Sequence, residues 1–595
     1  MCGIYASFSS KNHQLISNQV LGCKNKNQLS RRGPDDTFTI QQKINTSKGR
    51  LYLDLSFYRL EINGANDTES QQPFHKDGIY LMCNGEIFNY RSLQEKHKTP
   101  HFRSDCKVIL YLYFLFKGDF NKVIEELDGE FAMVLFDYSN RFHQEPKIFA
   151  SRDYFGVRPL FFSLNETCVT FASEAKALTH LNNSIYPFPP KETRTYVLQP
   201  FYGQGGCGNT VSNSNQYTFV LKSINEKFVI SSNKINNELV FSPNDKRNKF
   251  EEILAIHCVR VRGLLSKAVS KRISNRDHDV GIAFLLSGGL DSSLVCGIAK
   301  KLFKPERARM KTFSIGIIAD DQKEPTEEQN PDLFYARKVA EFINSEHHEV
   351  VVKTSEALEI IPEVIKTIES YDTTTIRASV PMYLLCRYVK SHFPHIKVLL
   401  SGEGSDELFG GYLYFKGAPD NQSFIKERDY LLNNLYRYDN LRADRTVSAN
   451  SLELRVPFLD YDLTKYVIEN IEPEFLTHFV SVVGGDKKSP RIEKWLLRQS
   501  FGTEHVIPTE VLWRQKDAFS DAVGYNWKSE IGRFVSSKGI TVDKTRSQEE
   551  EYYLQIYNEY YKDKIVFDKV EEGDYYWHPK WQPKELIDPS ARELF

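Results

Sequence analysis

The sequence predicts two successive domains, an α+β domain built on antiparallel sheets and an α/β domain built on a parallel sheet. Residues 1 to about 200 contain short apolar segments separated by turn residues, which is typical of antiparallel strands. From about residue 250 onward, helical periodicity alternates with short apolar segments, which favours parallel strands joined by helices. The length of 595 residues is enough for such an arrangement at roughly 100–200 residues per domain.

In the first domain we expect several strands and one helix. The helix is predicted over residues 104–116. The clearest strands are Ile79 to Cys83, Phe131 to Tyr138, Ile148 to Ser151 and Cys168 to Ser173. We take residues 1–200 as this domain.

Residues 201–249 are rich in glycine and asparagine, a composition that buries little and favours turns. We expect a linker or insertion here, although 217–222 and 226–231 alternate well enough to form a hairpin.

The second domain is expected to comprise residues 250–595. Helical periodicity opens it, and the predicted strands are Gly281 to Leu286, Lys311 to Ile317, His348 to Val352 and Lys397 to Leu400. Residues 551–595 are rich in tyrosine and tryptophan, and we expect this aromatic face to dock on the second domain.

Composition and charge argue against several classes of protein. Lys and Arg number 77 and Asp and Glu 78, so no net basic field favours nucleic acid or an anionic membrane. The longest strongly apolar run, residues 108–116, is far shorter than the roughly 20 residues of a membrane span. Without a secretory-type start, we expect a cytoplasmic protein with reduced thiols.

Cys2 is a candidate nucleophile because it follows Met1 directly. Removal of Met1 would give Cys2 a free α-amine, whose reference pKa of about 7.7–8.0 allows it to act as the base for its own thiol. Alone this is a weak signal, since a chain that begins Met-Cys is more often an accident than a catalyst.

Residues around Asn84 form a candidate site for a free amino acid. The Asn84 carboxamide and the Gly85 N–H could hold the oxyanion that forms when a thiolate attacks a carbonyl. Arg59 could bind an α-carboxylate through two hydrogen bonds, and Glu86 with Asp105 could hold an α-ammonium. Each residue taken singly is more often an ordinary turn or surface residue, so only the set favours catalysis.

This set resembles the glutaminase domain of the class II glutamine amidotransferases. The segments that match are Met1-Cys2-Gly3-Ile4, Arg32-Gly33-Pro34-Asp35, Arg59-Leu60, Asn84-Gly85-Glu86, Ser104-Asp105 and Ala172-Ser173-Glu174. The resemblance implies an N-terminal-nucleophile sandwich, with antiparallel sheets between helices. It also implies that Cys2 attacks the side-chain amide of glutamine, releases ammonia and leaves a thioester for water to hydrolyse.

The glutamine pocket implied by the resemblance consists of Arg59, Leu60, Glu61, Ile62, Asn63, Asn84, Gly85, Glu86 and Asp105. Two residues near it depart from the family pattern. Lys107 stands where the family usually has Glu, and Arg103 stands where Gly is common.

A phosphate-binding loop is predicted at Ser287-Gly288-Gly289-Leu290-Asp291-Ser292-Ser293, between a strand and a helical stretch that starts at Leu294. Close backbone approach at the glycines, three serine hydroxyls and a helix N-terminus together favour an anion. The Gly-Lys-Ser/Thr of a Walker loop is absent from it. The pattern resembles the loop of ATP pyrophosphatases, which cleave ATP between the α and β phosphates, and this implies that Asp291 helps to bind Mg²⁺.

A second polar cluster, residues 401–407, follows a predicted strand at the edge where parallel sheets bind ligands. Its carboxylates Glu403 and Asp406 could hold Mg²⁺ or take a proton. Arg377 and Lys516 could supply positive charge for a carboxylate or phosphate.

The second half of the chain resembles the glutamine-dependent asparagine synthetase family. The segments that match are Tyr371 to Leu384, Val398 to Pro419, Leu441 to Asp460, Arg491 to Leu497 and Trp513 to Trp527, with the tail Trp581 to Arg592. With the first domain, the likeness covers nearly the whole chain. It implies that ATP activates the β-carboxylate of aspartate as β-aspartyl-AMP, which ammonia delivered through an internal tunnel converts to asparagine.

The resemblance also assigns residues to this chemistry. ATP contacts are implied for Leu286, Ile315, Ser401 and Gly402, and pyrophosphate contacts for Ser287, Gly288, Gly289, Asp291 and Ser292. Glu403 is implied in formation and amination of the adenylate, Arg377 and Lys516 as cations beside it, and Asp291 in Mg²⁺ binding. With Asp406 of the second polar cluster, Asp291 makes the expected Mg²⁺ site.

The expected ligands are therefore aspartate, glutamine, ATP and Mg²⁺, and family likeness adds a possible homodimer. Two alternatives stay open from the sequence. One is a related amidotransferase or β-lactam-forming synthetase that adenylates another carboxylate. The other is a non-catalytic module that kept the fold.

Overall fold

The structure is a computed structural model that describes residues 1–10, 27–46, 49–200, 217–226, 243–303, 309–479, 491–517, 519–541, 547–562, 564–566 and 580–581. In these ranges the chain forms two six-stranded antiparallel sheets, one five-stranded parallel sheet and a two-stranded pair. The antiparallel sheets lie in the first part of the sequence and the parallel sheet in the second. The predicted combination of an α+β and an α/β domain is confirmed.

The first sheet has the strand order β10-β8-β9-β1-β3-β2. Its strands are β1 (Gly3–Ser9), β2 (Asp36–Thr46), β3 (Gly49–Arg59), β8 (Phe161–Leu164), β9 (Cys168–Ala172) and β10 (Tyr186–Pro187). Strand β1 is buried along its whole length between β3 and β9. Cys2, the residue just before β1, is thereby placed at the end of a central strand.

The second sheet has the order β12-β11-β7-β6-β5-β4. Its strands are β4 (Phe74–Lys76), β5 (Ile79–Ile87), β6 (Gly129–Asp137), β7 (Lys147–Arg152), β11 (Glu192–Pro200) and β12 (Tyr217–Glu226). Residues 217–226 form one continuous strand paired with β11, so residues 223–225 are not the turn of the possible hairpin. Residues 227–231, its expected second half, lie outside the described residues. Strand β12 thus extends this sheet beyond residue 200, into the segment expected to be a linker or insertion.

The two sheets pack face to face through alternate apolar side chains, including Ile4 and Ala6 of β1 and Tyr80 and Met82 of β5. The outer face of the second sheet is covered by three helices, α1 (Tyr90–His97), α2 (Lys107–Leu115) and α3 (Phe120–Glu126). Only one helix was predicted here from the sequence. The prediction missed α1 and α3 because these short helices carry only a few apolar residues, enough to cover a sheet but too few to give a clear period.

The second domain opens with the long helix α4 (Pro243–Ser274) and contains a parallel sheet in the order β15-β14-β13-β16-β17. The strands are β13 (Gly281–Leu285), β14 (Lys311–Ile318), β15 (Glu346–Lys353), β16 (Ile396–Leu400) and β17 (Glu453–Arg455). The four strands predicted for this sheet are confirmed, with ends shifted by up to two residues. Their carboxyl ends share one edge, where open α/β sheets bind ligands.

Helices connect and surround these strands. They are α5 (Leu290–Leu302), α6 (Pro331–Phe342), α7 (Thr354–Glu359), α8 (Ile361–Ile368), α9 (Thr373–His392), α10 (Ser405–Phe409), α11 (Asn421–Asn434) and α12 (Asp439–Ser448). After β17 follow α13 (Tyr461–Asn470), α14 (Pro473–Leu476), the strand pair β18 (His478–Phe479) and β19 (Arg491–Ile492), α15 (Trp495–Phe501), α16 (Thr509–Leu512), α17 (Phe519–Ala522), α18 (Trp527–Ser537) and α19 (Gln548–Tyr561). Tyr553, Tyr557 and Tyr561 of α19 are buried in the apolar core, as predicted for the start of the aromatic stretch; most of residues 563–595 lie outside the described ranges.

The outer face of the first sheet packs against the second domain. Tyr5 and Tyr58 of this face belong to one apolar cluster with second-domain residues such as Leu286 and Leu454. Buried ion pairs join the same surfaces, and the guanidinium of Arg32 makes two hydrogen bonds to Asp444, of 2.7 and 2.9 Å. Others are Arg272 with Glu130 and Arg158 with Glu453. The two domains therefore share a continuous buried interface.

Candidate active sites

The Cys2 thiol lies just before β1, at the end of this central strand of the first sheet, and is partly buried against both cores. The Leu60 N–H donates to Sγ at 3.4 Å, and the thiol lies 3.8 Å from the Leu60 carbonyl oxygen. Burial raises the pKa of the Cys2 thiol to about 11, against the opposing effects of the N-terminal positive charge and the Leu60 hydrogen bond. With Met1 in place, the thiolate that a nucleophile needs is therefore disfavoured.

Met1 is 1% exposed and is inserted between the two domains. Its α-amino group donates to the Leu452 carbonyl at 2.9 Å, and its sulfur accepts a hydrogen bond from Arg158 at 3.0 Å. Burial lowers the pKa of this amino group to about 5. The amine is thus held by the second domain, and removal of Met1 would move the free amine onto Cys2.

Asn84 lies on β5 and is 1% exposed. Neither its Nδ2 nor its Oδ1 atom has a hydrogen-bond partner among the described residues. A buried polar group left without a partner costs about 1–3 kcal/mol, so such groups point to ligand sites. At Gly85 a Cβ atom would lie 2.2 Å from the Glu130 carbonyl oxygen, so this position requires glycine. The pair fits the chemistry of an oxyanion site, with the Asn84 amide as one donor.

Arg59 organises the loop that follows β3. Its Nη2 donates to the carbonyls of Asn63 at 3.0 Å and Gly64 at 2.7 Å, while Nη1 pairs with Glu61 at 3.0 Å. Leu60 and Ile62 are buried core residues of the same loop. The structure therefore brings the predicted pocket residues 59–63 together, with the guanidinium engaged by the loop itself.

Glu86 lies where the first domain meets the second. Its Oε2 accepts hydrogen bonds from Asn63 at 2.9 Å and Asn275 at 2.6 Å and pairs with Arg455 at 3.2 Å. Asp105 accepts from the Ile87 N–H at 2.7 Å. Burial raises the pKa of both carboxyls, and Arg455 opposes the effect at Glu86. Sequence reasoning did not foresee that a predicted pocket residue also contacts the second domain.

A cavity of about 190 Å³ opens at the carboxyl edge of the parallel sheet, beside the ends of β13, β14 and β16. The predicted residues that line it are Leu286, Ser287, Gly289, Asp291, Ser292, Ile315, Ser401, Gly402, Glu403, Asp406 and Lys516. An apolar wall is added by side chains such as Met382 and Leu385 of α9. The two polar clusters identified in the sequence therefore face one space.

The predicted phosphate loop lies between β13 and α5. The hydroxyls of Ser287 and Ser292 are 3.0 Å apart, and the Gly289 N–H donates to the Ser287 hydroxyl at 3.3 Å. Helix α5 starts at Leu290, earlier than expected, so Asp291 and Ser292 belong to its first turn. The N–H groups of that turn and its dipole favour an anion in the cavity.

Lysines and carboxylates alternate across the cavity mouth. Lys494 pairs with Asp291 at 2.6 Å and with Asp406 at 2.5 Å, and Lys516 pairs with the other oxygen of Asp406 at 2.7 Å. Burial alone would raise the pKa of Asp406, but Lys494 and Lys516 hold it well below its usual range. The Asp406 carboxylate therefore stays ionised.

Asp291 and Asp406 fit a magnesium-nucleotide site in the kind and number of donors they offer. Mg²⁺ in such sites takes one or two carboxylates and completes its shell with phosphate oxygens and water. Among the described residues, no cluster of three or more histidine, cysteine or acidic side chains is arranged to hold a metal. Lys494 now holds the two carboxylates together, so a divalent cation here would depend on the phosphates as further ligands.

Glu403 projects into the same cavity and pairs with Arg442 at 2.7 Å. Arg442 also pairs with Asp439 at 2.9 Å. Burial raises the pKa of the Glu403 carboxyl, and Arg442 opposes that effect. A carboxyl group with a raised pKa can accept a proton and later release it, which suits a base beside a reacting amine.

Arg377 is absent from the cavity lining, although its helix neighbours Thr374 and Ala378 are part of it. Its guanidinium makes hydrogen bonds of 2.9 and 2.7 Å to Glu549 of α19. Residues 374, 378 and 382 repeat at helical spacing along one face, and position 377 lies beside that face. The structure thus places the predicted cation at the border of the cavity, on an acidic partner that the sequence did not reveal.

The basic residues of the cavity lining that were not singled out in the sequence include Arg442, Lys494 and Arg514. Each lies within a segment that carries the resemblance. Basic residues are common on surfaces, however, and the spacing of these three in the sequence does not indicate which acidic residues they contact. Lys494 has a positive φ of 55° and its side chain is 1% exposed, a combination that only the folded chain reveals.

Comparison with known proteins finds family models that match both halves of the chain. The family model of the asparagine synthases matches residues 260–430 and 418–582, and that of the glutamine amidotransferase domain matches residues 1–200. The chain belongs to the asparagine synthase family. It is 34% identical over 625 aligned positions to the glutamine-hydrolysing asparagine synthetase of Gallus gallus, covering 100% of this chain and 98% of that protein.

Two further family members show the same extent of likeness. A probable glutamine-hydrolysing asparagine synthetase of Acanthamoeba polyphaga mimivirus is 34% identical, with 100% of both chains covered. The asparagine synthetase of Rattus norvegicus is 34% identical over 100% of this chain and 98% of its own. The family resemblance drawn from the sequence motifs is confirmed over the full length. None of the helices in the described part of the chain is long and apolar enough to cross a membrane.

Proposed function

We propose that this protein is an ATP-dependent asparagine synthetase that takes its amide nitrogen from glutamine. The observation that carries the proposal is the single cavity in which a Ser-Gly-Gly-x-Asp-Ser loop faces Glu403 and Asp406. A phosphate loop beside carboxylates and lysines suits cleavage of ATP at its α-phosphate, and the glutaminase half supplies a nucleophile for ammonia release. Family membership supports the same reaction.

In the first domain, the chemistry begins once Met1 is removed. The α-amine of Cys2 takes the thiol proton, and the thiolate attacks the side-chain amide carbon of glutamine. The Asn84 amide and the Gly85 N–H hold the oxyanion. Arg59 binds the α-carboxylate, and Glu86 with Asp105 orients the α-ammonium. Ammonia leaves, and water hydrolyses the thioester to glutamate.

In the second domain, the β-carboxylate of aspartate attacks the α-phosphorus of ATP. Pyrophosphate leaves, and a mixed anhydride of aspartate and AMP forms. The phosphate-loop N–H groups, the hydroxyls of Ser287 and Ser292, and the ammonium of Lys516 bind the leaving pyrophosphate. Leu286, Ile315, Ser401 and Gly402 line the nucleotide site, with Arg377 and Lys516 as the cations beside the adenylate.

The second step replaces AMP with ammonia. Ammonia from the first domain attacks the activated carbonyl, the C–O bond to AMP breaks, and Glu403 takes the proton that the new amide loses. A divalent cation, Mg²⁺ in this proposal, would be held by Asp291 and Asp406 and would neutralise charge on the pyrophosphate. Ammonia would be protonated in bulk water, which supports its transfer through an internal passage between the domains.

The proposal extends to the setting in which the enzyme works. The family resemblance supports a homodimer in the cytoplasm, and a formal charge of −1 supports the absence of a nucleic-acid partner. Light scattering of the purified chain tests the dimer, because a monomeric mass at micromolar concentration would contradict it.

Product analysis tests the proposed reaction. Purified protein is incubated with aspartate, glutamine, ATP and Mg²⁺, and asparagine, glutamate, AMP and pyrophosphate are measured together. We expect asparagine, AMP and pyrophosphate in equal amounts. Glutamate without asparagine would refute the synthetase assignment and leave a glutaminase joined to a domain with another acceptor.

A further inference from the structure

Arg514 lies beside the phosphate loop and connects this loop to two residues of the cavity wall, Asp332 and Asp517. Its Nη1 donates to the Gly288 carbonyl at 3.1 Å. Its Nη2 donates to Asp332 of α6 at 2.9 Å and to Asp517 at 3.1 Å. The side chain is 7% exposed, and its guanidinium carbon lies 4.3 Å from the centre of the Tyr335 ring. A planar group held at several points in this way has one fixed orientation.

The carbonyl that Arg514 holds belongs to Gly288, the first glycine of the loop. Gly288 has a φ of 77°, a conformation that glycine adopts without strain. A Cβ atom there would lie 2.5 Å from the Ala336 backbone nitrogen and 2.6 Å from the Asp332 carbonyl oxygen, so the loop rests directly on α6. Glycine has no side chain to fix the Gly288–Gly289 peptide, and its orientation depends on what holds its oxygen.

The orientation of that peptide decides where a donor points. The C=O and N–H of one trans peptide point in opposite directions. With its oxygen on Arg514, the peptide turns the Gly289 N–H to the other side, where it meets the Ser287 hydroxyl at 3.3 Å. Gly289 and Ser287 line the cavity, whereas Gly288 does not.

We propose that Arg514 is a positioning residue that fixes the Gly288–Gly289 peptide and thereby sets the affinity of the loop for pyrophosphate and for the β and γ phosphates of ATP. This inference rests on the proposed function of the same cavity. Arg514 acts here through the loop backbone, and the ligand class is a diphosphate in the presence of a divalent cation. The phosphate contacts themselves are made by the loop.

Substitutions at Arg514 and its partner separate this role from simple packing. Arg514→Met keeps the length and removes the donors, whereas Arg514→Lys keeps the charge but cannot bridge Gly288 and Asp332 with a planar fork. Asp332→Asn weakens the second anchor. The matched control is Arg337→Met. Arg337 lies on α6, the helix of Asp332, is 42% exposed and pairs with Glu349 away from the loop.

The readout is calorimetric titration of the full-length protein with inorganic pyrophosphate and Mg²⁺, which does not require asparagine formation. We expect Arg514→Met to weaken pyrophosphate binding by about 10–100-fold, the usual effect of losing a residue that orients a ligand group. Arg514→Lys and Asp332→Asn should show smaller losses of the same sign, and Arg337→Met should bind like the unsubstituted protein. Glutamine hydrolysis takes place in the other domain, away from Arg514. Its rate should therefore stay within about twofold of that of the unsubstituted protein.

An unchanged pyrophosphate affinity in Arg514→Met, or an equal loss in Arg337→Met, would overturn the proposal. If Arg514→Met does not fold, the milder variants decide: weaker binding in both supports the role, and unchanged binding in both refutes it. The proposed function fails separately if the unsubstituted protein binds pyrophosphate but makes no asparagine from aspartate, ATP and glutamine. An unsubstituted protein that does not bind pyrophosphate would overturn both.

Discussion

The guanidinium of Arg377 and the carboxylate of Glu549 form a two-pronged ion pair that joins α9, on the cavity wall, to α19 near the end of the chain. Both side chains are about nine-tenths buried, at 12% and 9% exposed. Tyr553 donates a further hydrogen bond to Glu549 at 2.9 Å. The last helix of the described chain therefore sets the resting position of a cation proposed to act beside the adenylate.

Glu549→Gln should therefore show whether pyrophosphate release needs the ion pair or only the Arg377 cation. The variant keeps the shape of the side chain but loses a charged hydrogen-bond acceptor. We therefore expect the free energy of unfolding to fall by about 1.5–3 kcal/mol. Pyrophosphate release per folded molecule should stay close to that of the parent, whereas Arg377→Ala should lose it. Thermal unfolding and pyrophosphate assays measure the two effects. Equal loss of activity in both variants would mean that the pair, and not the cation alone, is required.

Cys2→Ala should abolish synthesis driven by glutamine and leave synthesis driven by ammonium salts. The reason is that the nucleophile lies in the first domain, while the adenylation cavity is lined only by second-domain residues. Asparagine formation with each nitrogen source is the measurement. A folded variant that loses both activities would contradict the chemical separation of the two sites.

Asp291→Asn should suppress pyrophosphate release while glutamine hydrolysis continues. The substitution removes one of the two carboxylates offered to a divalent cation and the ion pair with Lys494. We expect a fall in rate of at least about 10–100-fold, typical for the loss of a metal-site group. Raising the Mg²⁺ concentration should recover part of the activity. Unchanged pyrophosphate release would remove Asp291 from the proposed metal site.

Asn84→Asp tests the oxyanion site with a nearly isosteric change. The side chain would replace a donor with a charge that repels the oxyanion, so glutamine hydrolysis should fall by about 10²–10³-fold. Ammonia-dependent asparagine synthesis should be preserved, which serves as the internal control for folding. Retained glutaminase activity would mean that the unpaired amide of Asn84 has another ligand.

Acid should weaken the interface between the domains. Burial alone would raise the pKa of Asp444, but Arg32 and Arg445 hold it below its usual value. Because the pKa in the folded state is below the unfolded value of about 3.9, the pair stabilises the protein above that pH and the contribution is lost as the pH falls through the folded pKa. The unfolding temperature should drop below about pH 4, and less steeply in Asp444→Asn. An equally steep fall of the unfolding temperature with pH in the parent protein and in Asp444→Asn would contradict this prediction.

The sequence was most informative where a local pattern determines the structure. The strand before the phosphate loop, the glycines of the loop and the helix after it follow from apolar runs and backbone freedom, and they were predicted close to their observed positions. Short helices such as α1 and α3 were missed, because they form by packing on a sheet that the sequence alone does not show.

Partners distant in sequence were also beyond prediction. Arg377 was identified from its motif, but its pairing with Glu549 spans 172 positions and depends on how α9 and α19 pack. Lys494 and Arg442 lie among ordinary charged residues, and only the folded chain brings them to the cavity. In contrast, Asn84 was predicted from its place after a strand, and its amide has no hydrogen-bond partner among the described residues.

The apolar cluster shared by the two domains has a consequence for attempts to divide the protein. A fragment that ends near residue 226 would expose the face carrying Tyr5 and Tyr58, together with the charged group of Arg32 now deprived of Asp444. Such a surface favours aggregation over independent folding. The two halves, each with its own chemistry, are therefore expected to be inherited, expressed and engineered as one cooperative unit.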